Sequence, residues 1–136
     1  MRAFRDWWGY DEPSDDAMRA GVERLLADRA TEFLLGGDPP LGVAALRYRY
    51  GIWKDGEDCC LEDLFVHEEA RGSGLGRALL DAAIARARER GCARIELDVN
   101  ERNEAARKLY ESAGFSSWVP SLGGHNLFMR LPVRGH

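Results

Sequence analysis

The residues best suited to chemistry lie in Arg71-Gly72-Ser73-Gly74-Leu75-Gly76, between a stretch of strand character and one of helical character. Glycines let a backbone come close to a ligand, and the first N–H groups of a helix point at an anion. The helix dipole and the charge of Arg71 add attraction. A phosphate-bearing molecule is the natural occupant, and a plain tight turn is the alternative. A P-loop is excluded, because no Lys-Ser or Lys-Thr follows the glycines. A dinucleotide fingerprint fits poorly: counted from Gly72, its third glycine would fall on Arg77, although Glu96 stands about 20 residues on, where a ribose-binding acid is expected.

Other groups invite weaker readings. Glu62 and Asp63 are neighbours in a strand-like stretch, so a regular strand turns them to opposite faces, with Glu62 sharing parity with Leu64 and Val66. Asn103, Ala106 and Tyr110 fall on one helical stripe. Trp7, Trp8, Tyr10, Asp11 and Glu12 near the start, with Tyr48, Tyr50 and Trp53 further on, combine aromatic rings with carboxylates. Such a set suits an ammonium ligand through cation–π and charge attraction, or an aromatic surface or dimer contact. Cys59, Cys60 and Cys92 are an odd number of thiols, two of them adjacent, and read as reduced rather than as a disulfide scaffold. No His stands at a spacing that would make one of them a nucleophile, and Cys59, Cys60, Cys92, His67, His125 and His136 have no zinc spacing, so no metal is expected.

The elements that must position these groups follow from patterning. Pro13-Ser14-Asp15-Asp16 reads as a capped, acidic helix start, with Met18, Val22, Leu25 and Leu26 at helical spacing to about Asp28. Strands are expected at Thr31–Leu35, Leu41–Trp53 and Asp58–Val66. In the second, Ala44, Leu46, Tyr48 and Tyr50 share one face. Leu75, Leu79, Leu80, Ala83, Ile84 and Ala87 line a helix that Gly91 closes. Then come a strand at Ala93–Val99, a helix at Asn103–Ala113 closed by Gly114, and strands at Phe115–Val119 and Asn126–Leu131. This order predicts one α/β (α+β) domain over 1–136 with a mixed sheet flanked by helices. The composition agrees: 136 residues, 45% hydrophobic and 31% charged, are ordinary for a globular chain. A net charge of −4 argues against general nucleic-acid binding. There is no apolar run of membrane-spanning length and no signal-peptide core at Met1–Trp8, so the expectation is a cytoplasmic protein without a membrane partner.

Two motifs in order give the chain a family resemblance. Arg71-Gly72-Ser73-Gly74-Leu75-Gly76 resembles the R/Q-x-x-G-x-G/A acetyl-CoA loop of the GNAT superfamily of N-acetyltransferases. Asn103 to Phe115, with Asn103, Ala106, Tyr110, Gly114 and Phe115, resembles its N-x-x-A-x-x-x-Y-x-x-x-G-F element. The likeness covers roughly Ser14 to Leu131. Within the superfamily, Tyr48 to Trp53 and Leu61 to Val66, ahead of the Arg71 loop, are similar to the diamine (spermidine/spermine) acetyltransferase group, which includes enzymes acting on polyamines, thialysine and related amines.

The resemblance implies direct acetyl transfer from acetyl-CoA to an amine in a ternary complex, on a GNAT fold whose sheet splays at the cofactor site. It implies that Arg71 and the backbone amides of Gly72, Gly74 and Gly76 hold the pyrophosphate, with Ser73, Leu75 and Arg77 also at the cofactor. Leu64, Phe65 and Val66 would meet the pantetheine arm, the first and third through main chain, with Asn103 and Ala106 beside it. Tyr110 would be the general acid for the thiolate, with a half-buried core tyrosine as the alternative, and Glu62 the base or the anionic pocket for the cation. Trp8, Tyr10, Glu12, Tyr48, Tyr50, Trp53 and Glu62 would form the acceptor side, which takes a small cationic amine. An aminoglycoside-type or amino-acid amine and a catalytically silent acyl-CoA-binding module are the competing readings. Relatives commonly dimerise, so a homodimer is expected. Relatives also carry a first strand before the segment matching Trp7-Trp8-Gly9-Tyr10. Here that strand is expected to be missing, with Met1 to Trp8 as the remnant of the first helix.

Overall fold

The computed structural model describes residues 1–134, so His136 lies outside the described residues. The chain divides into two compact units, Met1–Leu97 and Asp98–His136. The first carries α1 (Arg2–Trp7), α2 (Asp15–Leu26), β1 (Thr31–Gly36), β2 (Gly42–Gly51), β3 (Gly56–Val66), a 3-10 turn (Glu68–Ala70), α3 (Leu75–Glu89) and β4 (Ile95–Glu96). The second carries α4 (Glu104–Ser112), β5 (Trp118–Val119) and β6 (Gly124–His125).

The expected start of α2 is present. Ser14 Oγ accepts the Ala17 N–H at 3.2 Å, and Asp15 and Asp16 occupy the first turn. The short α1 is tied to that start. Arg5 donates to the Pro13 carbonyl at 2.8 Å and pairs with Asp15 at 2.9 Å.

The four-stranded sheet has the order β1-β2-β3-β4. β1/β2 and β2/β3 are antiparallel and β3/β4 parallel, which makes the sheet mixed, as predicted. α3 packs on one face through a close approach. Gly36 and Gly42 are paired across β1 and β2, and a Cβ on either would stand 2.5 Å from Leu75 Cδ1 or 2.7 Å from Leu79 Cδ1. Two glycines thus let the first turns of α3 lie directly on the strands.

The same parity carries Ala44 and Leu46 into a core with Cys59, Leu61, Leu79, Leu80 and Ala83. Beyond the core, this face is closed by charge. Arg86 forks onto Glu32 with its nearest contact at 2.9 Å, and Arg90 onto Glu57 at 2.9 Å. Burial opposes ionisation of Glu32, but the hydrogen bonds from Arg86 and Tyr48 outweigh it and hold the carboxyl below its ordinary value.

Three expected strands are shorter or elsewhere. The Ala93–Val99 segment pairs with β3 only at Cys59↔Ile95 and Cys60↔Glu96. Its alternation of Ile95, Leu97 and Val99 marks one face, but a strand needs a partner ladder, and β3 bulges just past Cys60. In the second unit the hairpin closes tightly on its turn, Trp118↔His125 and Val119↔Gly124, in place of the expected Phe115–Val119 strand. Residues 126–131 are not in a strand. Their apolar composition suits a strand, but composition alone does not make a ladder.

Candidate functional site

β3 sets the geometry. Ala45 stands opposite Asp63 and Leu46 opposite Leu61, so Glu62 is an extra residue, a β-bulge. The bulge corrects the parity expectation. Asp63 faces away from α3, like its partner Ala45. Glu62, which is exposed, lies against the Cys60 thiol on that same side; burial first, then Glu62's charge and hydrogen bond, push that thiol up to about 11. The two carboxylates therefore share a face. Leu64 and Val66 stand opposite Ala44 and Gly42, with side chains toward α3.

The main chain of β3 alternates as well. The His67 N–H donates to the Leu41 carbonyl at 2.6 Å, so His67 and Phe65 direct their backbone groups at β2. Leu64 and Val66 direct theirs the other way, along the edge where the ladder with β4 has already stopped. Arg71 Nε donates to the Val66 carbonyl from that side at 3.1 Å.

The glycine turn follows directly. His67 Nδ1 accepts the Glu69 N–H at 3.2 Å, and the Ser73 hydroxyl donates to the Ala70 carbonyl. Gly72 and Gly74 have φ of 76° and 87°, a region that favours glycine, and Gly74 is the N-cap of α3. It brings no side-chain cap. The N–H groups that open α3, at Leu75 and Gly76, thus have no intrahelical acceptor and look out over exposed Gly72, Ser73 and Gly74. Such a helix start can receive an anion. Arg77 sits one step in and pairs with Asp81 at 2.9 Å.

The acceptor-side residues separate into two groups. Trp8 and Tyr10 are stacked at 6.5 Å, and Trp8 meets Trp7 edge-on at 4.7 Å. Phe4 stacks on Phe65 at 4.9 Å, which binds this aromatic cluster to the Glu62 face of β3; Glu12 follows it as an exposed carboxylate. Tyr50 and Trp53 sit at the far end of the β2–β3 hairpin, since Tyr50 pairs with Glu57, about 25 Å along the strand from Phe65 at ~3.3 Å per residue. There the Tyr50 hydroxyl donates to Asp55 at 2.7 Å, and Trp53 is almost fully exposed.

Tyr48 belongs to neither group, which corrects its expected acceptor role. It is buried on the α3 face, its hydroxyl donates to Glu32 at 2.6 Å, and the Arg90 guanidinium lies 3.8 Å from its ring centroid. Burial, then the Glu32 carboxylate, push its phenol well above the ordinary range.

In the second unit, Asn103 is the N-cap of α4, its Oδ1 accepting the Ala106 N–H at 3.2 Å. That cap leaves the Asn103 Nδ2 amide outside this hydrogen bond. Asn103, Ala106 and Tyr110 lie on the less exposed stripe of α4, and Tyr110 is buried, edge-on to Phe115 at 6.0 Å.

Burial pushes the Cys59 thiol up to about 12, as expected of a core thiol rather than a nucleophile. Among the described residues no cluster could hold a metal ion, and no helix is long and apolar enough to cross a membrane. Two features escaped the sequence reading. The bulge has no signal in composition. The Phe4–Trp7 pairing does: their spacing of three puts both on one face of a helix.

Comparison with known proteins points one way. The sequence profile described as Acetyltransferase (GNAT) family matches residues 2–115. Mycothiol acetyltransferase of Thermobispora bispora is 53% identical over 54 residues, a match covering 40% of this chain and 18% of that protein. Thialysine N-epsilon-acetyltransferase of Bos taurus is 28% identical over 140 residues, covering 92% of this chain and 81% of that protein. Streptothricin acetyltransferase of Streptomyces lavendulae is 34% identical over 122 residues, covering 82% and 62%. The chain thus spans under a fifth of the first of these proteins and less than two thirds of the third. A solved structure of a candidate acetyltransferase from Arthrobacter sp. FB24 superposes with a TM-score of 0.87 at 32% identity, covering 97% of this chain and 85% of that one.

Proposed function

The chain belongs to the acetyltransferase (GNAT) family, whose profile spans residues 2–115, and from that premise we propose that it transfers an acetyl group from acetyl-CoA directly to a small cationic amine. One observation carries the reading: the uncapped, glycine-opened start of α3 adjoins the outward-turned main chain of Leu64 and Val66. The first suits a diphosphate, and the second suits the amides of a pantetheine arm. When bound, acetyl-CoA supplies an activated thioester carbonyl.

The protein's own residues have the remaining tasks. Arg71 and the amides of Gly74, Leu75 and Gly76 hold the diphosphate. Leu64 and Val66 align the arm, and one of their N–H groups polarises the carbonyl. Glu62 accepts a proton from the ammonium, directly or through water, so that the nitrogen lone pair can form the new C–N bond. As the C–S bond breaks, the Tyr110 phenol donates its proton to the thiolate. The exposed aromatic cluster of Trp8 and Tyr10, with Glu12, supports a cationic acceptor. Polyamine- or thialysine-like amines head the acceptor classes, because similarity to the Bos taurus enzyme extends over most of both chains. We take residues 1–136 to work as one acetyltransferase domain, in the cytoplasm and as a homodimer.

The test is release of free thiol from acetyl-CoA with a panel of polyamines, lysine analogues, streptothricin-like and aminoglycoside amines. Turnover with a member of the panel is expected. Tyr110→Phe should lose most turnover while CoA binding, followed by calorimetry, is kept. CoA binding without turnover on any amine would favour a silent acyl-CoA module, and absence of CoA binding would sink the reading.

A further inference from the structure

Arg71 is held before any ligand arrives. Its Nε is committed to the Val66 carbonyl at 3.1 Å. Its guanidinium carbon lies 5.1 Å from the Trp7 ring centroid and 5.6 Å from that of Phe65. Phe65 is fixed in turn by the ring of Phe4 at 4.9 Å, and Phe4 stands in the same short helix as Trp7. Three contacts from two directions thus restrain a long side chain that would otherwise lose much rotamer freedom on binding an anion. The contacts are a hydrogen bond from Nε and two rings near the guanidinium carbon. They leave the Nη1 and Nη2 edge, the fork suited to two phosphate oxygens, outside this set of contacts.

We propose that Trp7, seconded by Phe65, is a positioning residue that preorganises Arg71 for the diphosphate of the acyl donor. This rests on the reading that the Gly72–Gly76 turn takes CoA. Neither ring need touch the donor. α1 therefore serves the donor site from a segment that the sequence reading assigned to the acceptor side. Its contribution is confined to donors that carry a diphosphate, because Arg71 has nothing to hold on a donor that ends at pantetheine.

The experiment is a double-mutant cycle on CoA affinity by calorimetry, with Trp7→Ala, Trp7→Phe, Arg71→Ala and the Trp7→Ala/Arg71→Ala pair. Thermal melts would check that each variant is folded. Trp7→Ala should weaken CoA binding by about 3- to 10-fold, the range of one cation–π contact. Trp7→Phe keeps a ring face and should recover most of that loss. In the Arg71→Ala background, Trp7→Ala should cost nothing further. On S-acetylpantetheine, which lacks the diphosphate, Trp7→Ala should lose less kcat/KM than it loses on acetyl-CoA, since only acetyl-CoA gives Arg71 a diphosphate to hold.

Equal losses from Trp7→Ala with and without Arg71 would overturn the proposal, and so would equal losses on both donors, since either would mean general damage to the fold. Unchanged CoA affinity in Trp7→Ala would overturn it as well. If wild type binds CoA but acetylates no amine, only the proposed activity fails and the cycle still reports on Trp7. If wild type does not bind CoA, both fail.

Discussion

From Gly56 to Leu61, β3 lies between β2 and, at Cys59 and Cys60, β4, with Asp58, Cys59 and Leu61 buried. From Glu62 to Val66 the ladder with β4 has ended, Glu62 is exposed, and the next four residues are only half-buried. One strand thus serves as core at one end and as a presenting surface at the other, with the bulge at Glu62 as the boundary. Bulges re-aim side chains and end pairing. Here the bulge does both: it turns Glu62 and Asp63 to one face and coincides with the end of pairing to β4. On the proposed function, folding energy and chemistry fall to different stretches of the same strand, and substitutions should separate them.

The sharpest separation sets Glu62→Gln against Leu80→Ala. On the open half, Glu62→Gln removes the proposed base. Turnover should fall by about 10²–10⁴-fold, the usual contribution of a positioned acid–base group. Since Glu62 is exposed, the thermal midpoint should barely move. On the closed half, Leu80 is fully buried on α3, and Leu80→Ala should cost about 2–5 kcal/mol in denaturant unfolding. CoA affinity of the folded fraction should survive. If Glu62→Gln destabilises the fold while Leu80→Ala leaves it intact, the division is wrong.

The glycine turn of the first unit was legible from a few residues. Gly72 and Gly74 carry their conformational requirement in their type, so the turn and the start of α3 fell where expected. The capped start of α2 was legible for the same local reason. The bulge was not. Leu61-Glu62-Asp63 has no residue type that demands it, and a parity argument assumes a regular ladder, so one extra residue reverses every inference beyond it. Tyr48 shows a second limit. The sequence alternation assigned it correctly to the face of Ala44 and Leu46. That α3 covers this face, with Glu32 and Arg86 54 residues apart in the chain, is a long-range fact that no local pattern holds.

Tyr48→Phe examines that correction with a smaller effect. Removing a buried hydroxyl that donates to a carboxylate at 2.6 Å should cost about 1.5–3 kcal/mol in denaturant unfolding. KM for the amine should stay unchanged, because the ring lies on the closed face. A raised amine KM with unchanged stability would return Tyr48 to the acceptor side.

The smallest effect is the pH dependence that Glu32 gives the closed face. Its carboxyl is shifted below its ordinary value of 4.5, since the hydrogen bonds from Arg86 and Tyr48 and the charges of Arg86 and Arg90 outweigh burial. The folded state therefore binds this proton more weakly than the unfolded chain does. The resulting stability is fully present above the unfolded pKa and is lost as pH falls through the folded one. Denaturant unfolding of wild type and Glu32→Gln at a series of pH values from about 6 down to about 3 tests this. The variant should be the less stable protein at the upper end, and the two curves should converge as the pH drops. Asp15 and Glu57, which Arg5 and Arg90 hold below their ordinary values, remain in both proteins and cancel in the comparison. A constant gap across the whole range would mean that Glu32 contributes packing and not charge. The network would then hold α3 on the sheet by shape alone.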